Sequence, residues 1–154
     1  MDIRYKMLCN YLDELWAIKG LTPQEDSEKK QFYAEIISNN HTQWIDIRKG
    51  NKLVGFLLIG TPPNCHPDAN FYIEEAYIMP SYRRNRLMSL TVSEFVKNNK
   101  GIYCLFILKR NVPAQNFWQK IFTELGYTPY YLQDVGAGDE FCIQYGFKPK
   151  DFLL

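Results

Sequence analysis

Between residues 71 and 108 the chain reads strand, helix, strand, and no other stretch limits the fold as much. Residues 71–79 are rich in aromatic and β-branched side chains, which suit a pleated, packed surface. Residues 85–99 place Met88, Val92, Phe95 and Val96 on one side of a helix, and Gly101 ends it. Residues 102–108 are short and continuously apolar, as a strand is when both of its faces are covered. A unit of this kind forms a parallel pair with a right-handed crossover.

The flanking segments extend that unit into an α/β fold. Residues 7–19 carry Leu8, Tyr11, Leu12, Leu15 and Trp16 at helical spacing, and Gly20 stops them. Thr22-Pro23-Gln24-Glu25 has the form of a capping box with Pro at the first helical position. The helix it starts is expected to reach Ser38 and to bury Phe32, Tyr33, Ile36 and Ile37. Residues 42–48 and 52–60 read as two strands around the turn signal Lys49-Gly50-Asn51, an antiparallel hairpin. Residues 113–125 are the clearest helix, with Ala114, Phe117, Trp118, Ile121, Phe122 and Leu125 following i, i+3, i+4 between Pro113 and Gly126. Strands at 127–132 and 140–145 close the chain around Val135-Gly136-Ala137-Gly138. There is no repeat, low-complexity tract or linker. The expectation is one domain over 1–154: a mixed central sheet with helices on both faces.

Composition removes several functions. A formal net charge of +1 lacks the uncompensated Lys and Arg that nonspecific nucleic-acid binding needs. No apolar run has membrane-spanning length. The segment Met1-Asp2-Ile3-Arg4-Tyr5-Lys6 has no signal-peptide apolar region, so a cytoplasmic location is expected. Cys9, Cys65, Cys104 and Cys142 are widely spaced, and Cys104 reads as a small buried hydrophobe. Cys65-His66 sits in the Pro-rich loop 61–67 with no further ligand at metal spacing, so no metal is expected.

Two segments carry chemistry. The first runs Tyr72-Ile73-Glu74-Glu75-Ala76-Tyr77-Ile78-Met79-Pro80-Ser81-Tyr82-Arg83-Arg84-Asn85-Arg86-Leu87-Met88. The second is Asn111-Val112-Pro113-Ala114-Gln115-Asn116-Phe117-Trp118. Together they resemble the cofactor-binding segments of GNAT acetyltransferases, and the element order fits that family from about residue 22 to 145. In the family a strand ends in Pro-x-Tyr-Arg, a phosphate-cradling loop follows, and a helix opens. Helix-start N–H groups and the dipole hold an anion such as the coenzyme A pyrophosphate. The resemblance implies Arg83, Arg84 and Arg86 as phosphate ligands, with Asn85, Leu87 and Met88 in the same loop. Arg86 and Met88 occupy positions where the family has Gly and Gly or Ala. Glycine tolerates positive φ there, and Asn85 is the residue best able to take over that conformation.

The rest of the site also follows from the resemblance. Tyr77, Ile78 and Met79 would border the pantetheine arm, and an N–H near Ile78 would polarise the thioester carbonyl. Strands 71–79 and 102–108 would splay to admit the arm. Glu74 and Glu75 are the candidate general bases. On an alternating strand Glu74 shares a face with Ala76 and Ile78, and Glu75 with Ile73 and Tyr77; similarity to amine acetyltransferases favours Glu74. Asn111 would bond the arm or cap the helix, and Ala114 and Phe117 would pack on the cofactor. Trp118 stands where many relatives have an acidic Tyr, for which Tyr127, Tyr130 or Tyr131 are the replacements. The implied activity is acetyl-CoA-dependent transfer to an amine of a small molecule or peptide. A non-catalytic GNAT-fold binding protein and a structural dimerisation domain remain open, and a homodimer is compatible with each.

Overall fold

The computed structural model describes residues 2–63, 68–134 and 142–149. Gly50 supplies the positive φ (61°) of the turn that joins β1 (Gln43–Lys49) to β2 (Lys52–Gly60), and the two strands pair antiparallel as the sequence leads one to expect. β3 (Phe71–Ile78) adds antiparallel to β2. A short 3₁₀ turn (Pro80–Tyr82) leads to α3 (Leu87–Asn98), which crosses over to β4 (Tyr103–Leu108), parallel to β3. α4 (Val112–Glu124) follows, then β5 (Tyr127–Asp134) and β6 (Cys142–Pro149). The sheet order is β1-β2-β3-β4-β6-β5.

Apolar side chains bury both faces of this sheet. On one face Ile73, Val92, Val96, Tyr103, Leu105, Trp118 and Phe122 join α3 and α4 to the strands. On the other, Leu8, Leu12, Ile36, Phe56, Leu58 and Tyr77 join it to α1 (Ile3–Ile18) and α2 (Asp26–Ser38). The mixed sheet with helices on both faces is thus the expected α/β class. Cys104 is fully buried in β4.

The N-terminal helices depart from the sequence reading. α1 starts a full turn before residue 7, because Asp2 caps it by accepting the Arg4 N–H at 2.9 Å. Arg4 then reaches the sheet through a bidentate pair with Asp46, Nε to Oδ1 at 3.0 Å and Nη2 to Oδ2 at 2.8 Å. Thr22 caps nothing. α2 begins at Asp26, which accepts the Tyr5 hydroxyl at 2.8 Å, and Asp26 and Glu28 place negative charge at its positive end. Within α2 only Ile36 is buried, Phe32 and Tyr33 are half-buried, and Ile37 is exposed. Cys65, His66 and the turn 135–138 lie outside the described residues. No helix among the described residues is long and apolar enough to cross a membrane.

Candidate active site

The parallel ladder between β3 and β4 covers three residue pairs, Phe71–Tyr103, Tyr72–Cys104 and Ile73–Leu105. Beyond Ile73 and Leu105 the two strands part, which is the splay that the family resemblance implied. A cleft of about 750 Å³ opens there and passes from α1 on one face to α3 and α4 on the other.

β3 turns useful backbone groups into the split. The Met79 N–H donates to the Val54 carbonyl at 2.8 Å, so Met79 is tied to β2. Polar groups of successive residues in an antiparallel ladder point to opposite edges. Ala76 and Ile78 therefore aim theirs away from β2, toward the cleft. Arg83 Nε confirms the direction by donating to the Ile78 carbonyl at 2.8 Å. The Ile78 N–H shares that edge. The Tyr77 ring is buried on the α1 side, and Tyr77 also lines the cleft.

The two carboxylates do not alternate as expected. Leu58 pairs with Glu75 and Ile59 with Ile73, which leaves Glu74 as the extra residue of a β-bulge. Both Glu74 and Glu75 line the cleft. Ile73 packs with α3 and α4, whereas Glu75 meets Tyr11 of α1, so the face shared by Ile73 and Glu75 in a regular strand does not exist. Glu74 Oε2 lies over Gly60, where a Cβ would collide with it.

Their environments differ. Glu75 accepts the Tyr11 hydroxyl and is walled by protein, and desolvation pushes its carboxyl up to about 7. The Tyr11 bond and Lys19 hold it down, and Glu74 pushes it further up. Burial alone raises Glu74, by less. Tyr11 is itself held well above the usual phenol range by burial and by the Glu75 charge. No sequence signal marks this role, because Tyr11 sits in the apolar stripe of α1 like any core aromatic. Tyr11→Phe is expected to move the Glu75 midpoint above 7, since it removes the bond that favours the carboxylate. A pH–rate profile checks this: the acid limb should shift to higher pH.

The arginine loop splits into two roles. Arg83 Nη2 pairs with Glu14 of α1 at 2.7 Å, and its guanidinium lies over the Tyr77 ring at 5.4 Å. Arg83 is therefore occupied as a brace between the loop, β3 and α1. Arg84 and Arg86 are exposed on the cleft rim and have φ of 66° and 61°. The left-handed positions fall on these two residues; Asn85, expected to take that conformation, has no positive φ and does not line the cleft. Arg86 is the N-cap of α3 and gives no side-chain cap to the first N–H groups of the helix, and the first-turn residues Leu87 and Met88 line the cleft. Left-handed strain costs about 1–2 kcal/mol in an L-residue, against about 0.5–1 kcal/mol of extra chain entropy for Gly. Arg86→Gly is thus expected to raise stability by up to about 1 kcal/mol, read from chemical denaturation.

Across the cleft, Asn111 caps α4 by accepting the Ala114 N–H at 3.2 Å, and Ala114 and Phe117 form part of the wall. Trp118 is buried against Phe117 and Phe122 and offers no hydroxyl. Tyr127 packs in the core on Tyr103 and Phe122 and does not line the cleft. The side chains of Tyr130 and Tyr131 lie outside the described residues.

The fold has counterparts among known proteins. The family model for the acetyltransferase (GNAT) family matches residues 6–122. The chain belongs to the GNAT family. No curated protein matches it in sequence. Solved structures share the GNAT fold. An acetyltransferase from Thermus thermophilus superposes with a TM-score of 0.66 at 13% identity, covering 92% of this chain and 88% of that one. A spermidine N-acetyltransferase from Vibrio cholerae, in complex with CoA and spermine, gives 0.63 at 12% identity over 100% of this chain and 95% of its own. An aminoglycoside 6'-N-acetyltransferase complexed with coenzyme A gives 0.59 at 13% identity over 95% and 91%.

Proposed function

We propose that this GNAT protein transfers an acetyl group from acetyl-CoA to a primary amine of a small molecule or peptide. The observation that carries the reading is the parting of β3 and β4 beyond Ile73 and Leu105, with a carboxylate poised near neutrality on its wall.

The residues present fit coenzyme A. The α3 start is uncapped, Arg84 and Arg86 stand beside it, and the facing strand edges are open. An anion is held there by backbone N–H groups, the helix dipole and guanidinium donors. Arg84, Arg86, Leu87 and Met88 would hold the pyrophosphate, the cleft edges of Ala76 and Ile78 the arm, and the Ile78 N–H the thioester oxygen. Ala114 and Phe117 would pack on the arm from α4. When bound, acetyl-CoA supplies a thioester carbon that bonds to nitrogen as its C–S bond breaks and the thiolate leaves with the electron pair.

The chain's own task is the proton. An amine arrives as an ammonium and must lose a proton before it attacks. Glu75 is the base in this reading, ahead of Glu74, because a base works best when its midpoint lies near the working pH. Trp118, buried in the core, offers no hydroxyl to the departing sulfur. A thiol of ordinary acidity leaves without one.

Calorimetric titration with acetyl-CoA, beside ATP and desulfo-CoA, tests the reading, followed by amine-dependent thiol release. Saturable binding tighter than ATP, with thiol released only when amine is present, supports it. Coenzyme A binding with no turnover on any amine would return the non-catalytic alternative.

A further inference from the structure

Among the described residues three carboxylates line the cleft, Glu14, Glu74 and Glu75, and two of them are satisfied. Glu75 accepts the Tyr11 hydroxyl, and Glu14 accepts Arg83 at 2.7 Å. Glu74 is half-buried and has no hydrogen bond or ion pair among the described residues. It is held in that position by the fold, since the bulge turns it to the cleft and Gly60 leaves the space over which its Oε2 lies. A carboxylate withdrawn from water without a counter-charge is costly unless a cation completes it.

The surroundings say what else that cation carries. Tyr72 and Phe106 meet edge to face with centroids 5.8 Å apart, and Leu15 and Ile18 of α1 complete an apolar wall. Lys19 lines the same wall with its ammonium 4.4 Å from the centre of the Trp16 ring. A further carboxylate on the ligand would meet Glu74 and Glu75.

Resting on the acyl-transfer reading above, we propose that the acceptor is a primary amine with a single positive charge on an apolar, ring-sized body, and that Glu74 receives its ammonium while Glu75 takes the proton. The body packs on Tyr72 and Phe106. The polyamine and aminoglycoside classes are disfavoured because one unpaired carboxylate among the described residues of the cleft matches one charge. A zwitterionic amino acid is disfavoured by its own carboxylate.

The test pairs 2-phenylethylamine with 1,4-diaminobutane and phenylalanine, measuring acetyl transfer and, by calorimetry, amine binding with and without coenzyme A. The expected kcat/KM for 2-phenylethylamine exceeds both others by about tenfold or more, the scale of one lost charge-assisted bond. Glu74→Gln removes the charge, and Gly60→Ala displaces the carboxylate while keeping it. Each should raise Kd and KM for 2-phenylethylamine about tenfold, with kcat nearly unchanged. Thermal melts confirm that both variants fold, and Gly60→Ala decides the matter if Glu74→Gln does not. Preference for diaminobutane, or a Kd indifferent to both variants, overturns the proposal. Glu74-dependent binding without turnover keeps the amine site at Glu74 and sinks acyl transfer instead. Turnover without the ring preference does the reverse, and neither binding nor turnover sinks both.

Discussion

Glu75→Gln is expected to lower kcat by about two to four powers of ten, the range that a general base supplies, while leaving acetyl-CoA affinity within about twofold. The wild-type rate should fall as pH drops through about 7, where Glu75 takes up a proton, and the residual rate of the variant should lack that limb. Stability should move the other way. The folded midpoint, about 7, lies above the ordinary 4.5, so the native state binds the proton more tightly than the unfolded chain does. That contribution is fully present below pH 4.5 and is lost as pH rises to about 7. Its upper bound is about 3 kcal/mol, and solvent at the cleft edge reduces it. The neutral variant should therefore be more stable than wild type at pH 8 and close to it at pH 4. Denaturation midpoints at the two pH values check this. A variant that loses rate but shows the same pH dependence of stability as wild type would assign the titration to another group.

Arg84→Ala with Arg86→Ala is expected to weaken acetyl-CoA binding about a hundredfold, whereas Arg83→Ala changes it by less than about threefold. The contrast follows from where each guanidinium is spent. Arg83 is bound to the Ile78 carbonyl and to Glu14, while the other two are exposed at the helix start. Alanine retains the left-handed strain at both positions, so the loss reports charge and donors rather than backbone relief. Calorimetry in low and high salt separates the effects, because exposed charge contributions are screened. Equal losses for Arg83→Ala and for the double variant would return Arg83 to the phosphate.

The element order was legible because it rests on periodicity. The continuous apolar run of β4, the stripe of α4 and the turn at Gly50 each have one reading. The splay of β3 and β4 followed from the family resemblance. What periodicity does not carry is a change of period within a strand. The bulge at Glu74 leaves no compositional mark, so strict alternation put Glu74 and Glu75 on opposite faces, whereas both line the cleft. Side-chain partners across long separations were equally hidden. Tyr11 and Glu75 are 64 residues apart, and Arg83 and Glu14 are 69 apart. The start of α2 was misplaced because Thr22 satisfies a local rule, while Tyr5 anchors Asp26 from a different helix. In the loop, Asn85 had the better intrinsic preference for positive φ, yet the backbone path places the strain on the arginines either side of it.

With Glu74 as the proposed acceptor site, the bulge separates inheritance of the fold from inheritance of acceptor choice. Every residue of β3 except Glu74 that falls between Tyr72 and Ile78 has a partner on β2, so position 74 is the one place where the strand holds a residue its ladder does not count. Loss of that single codon would restore an uninterrupted ladder and keep Glu75 opposite Leu58, beside Tyr11. It would delete only the lone carboxylate over Gly60. On the proposed reading, a lineage carrying this scaffold changes its acceptor by one in-frame deletion while the ladder around it is kept.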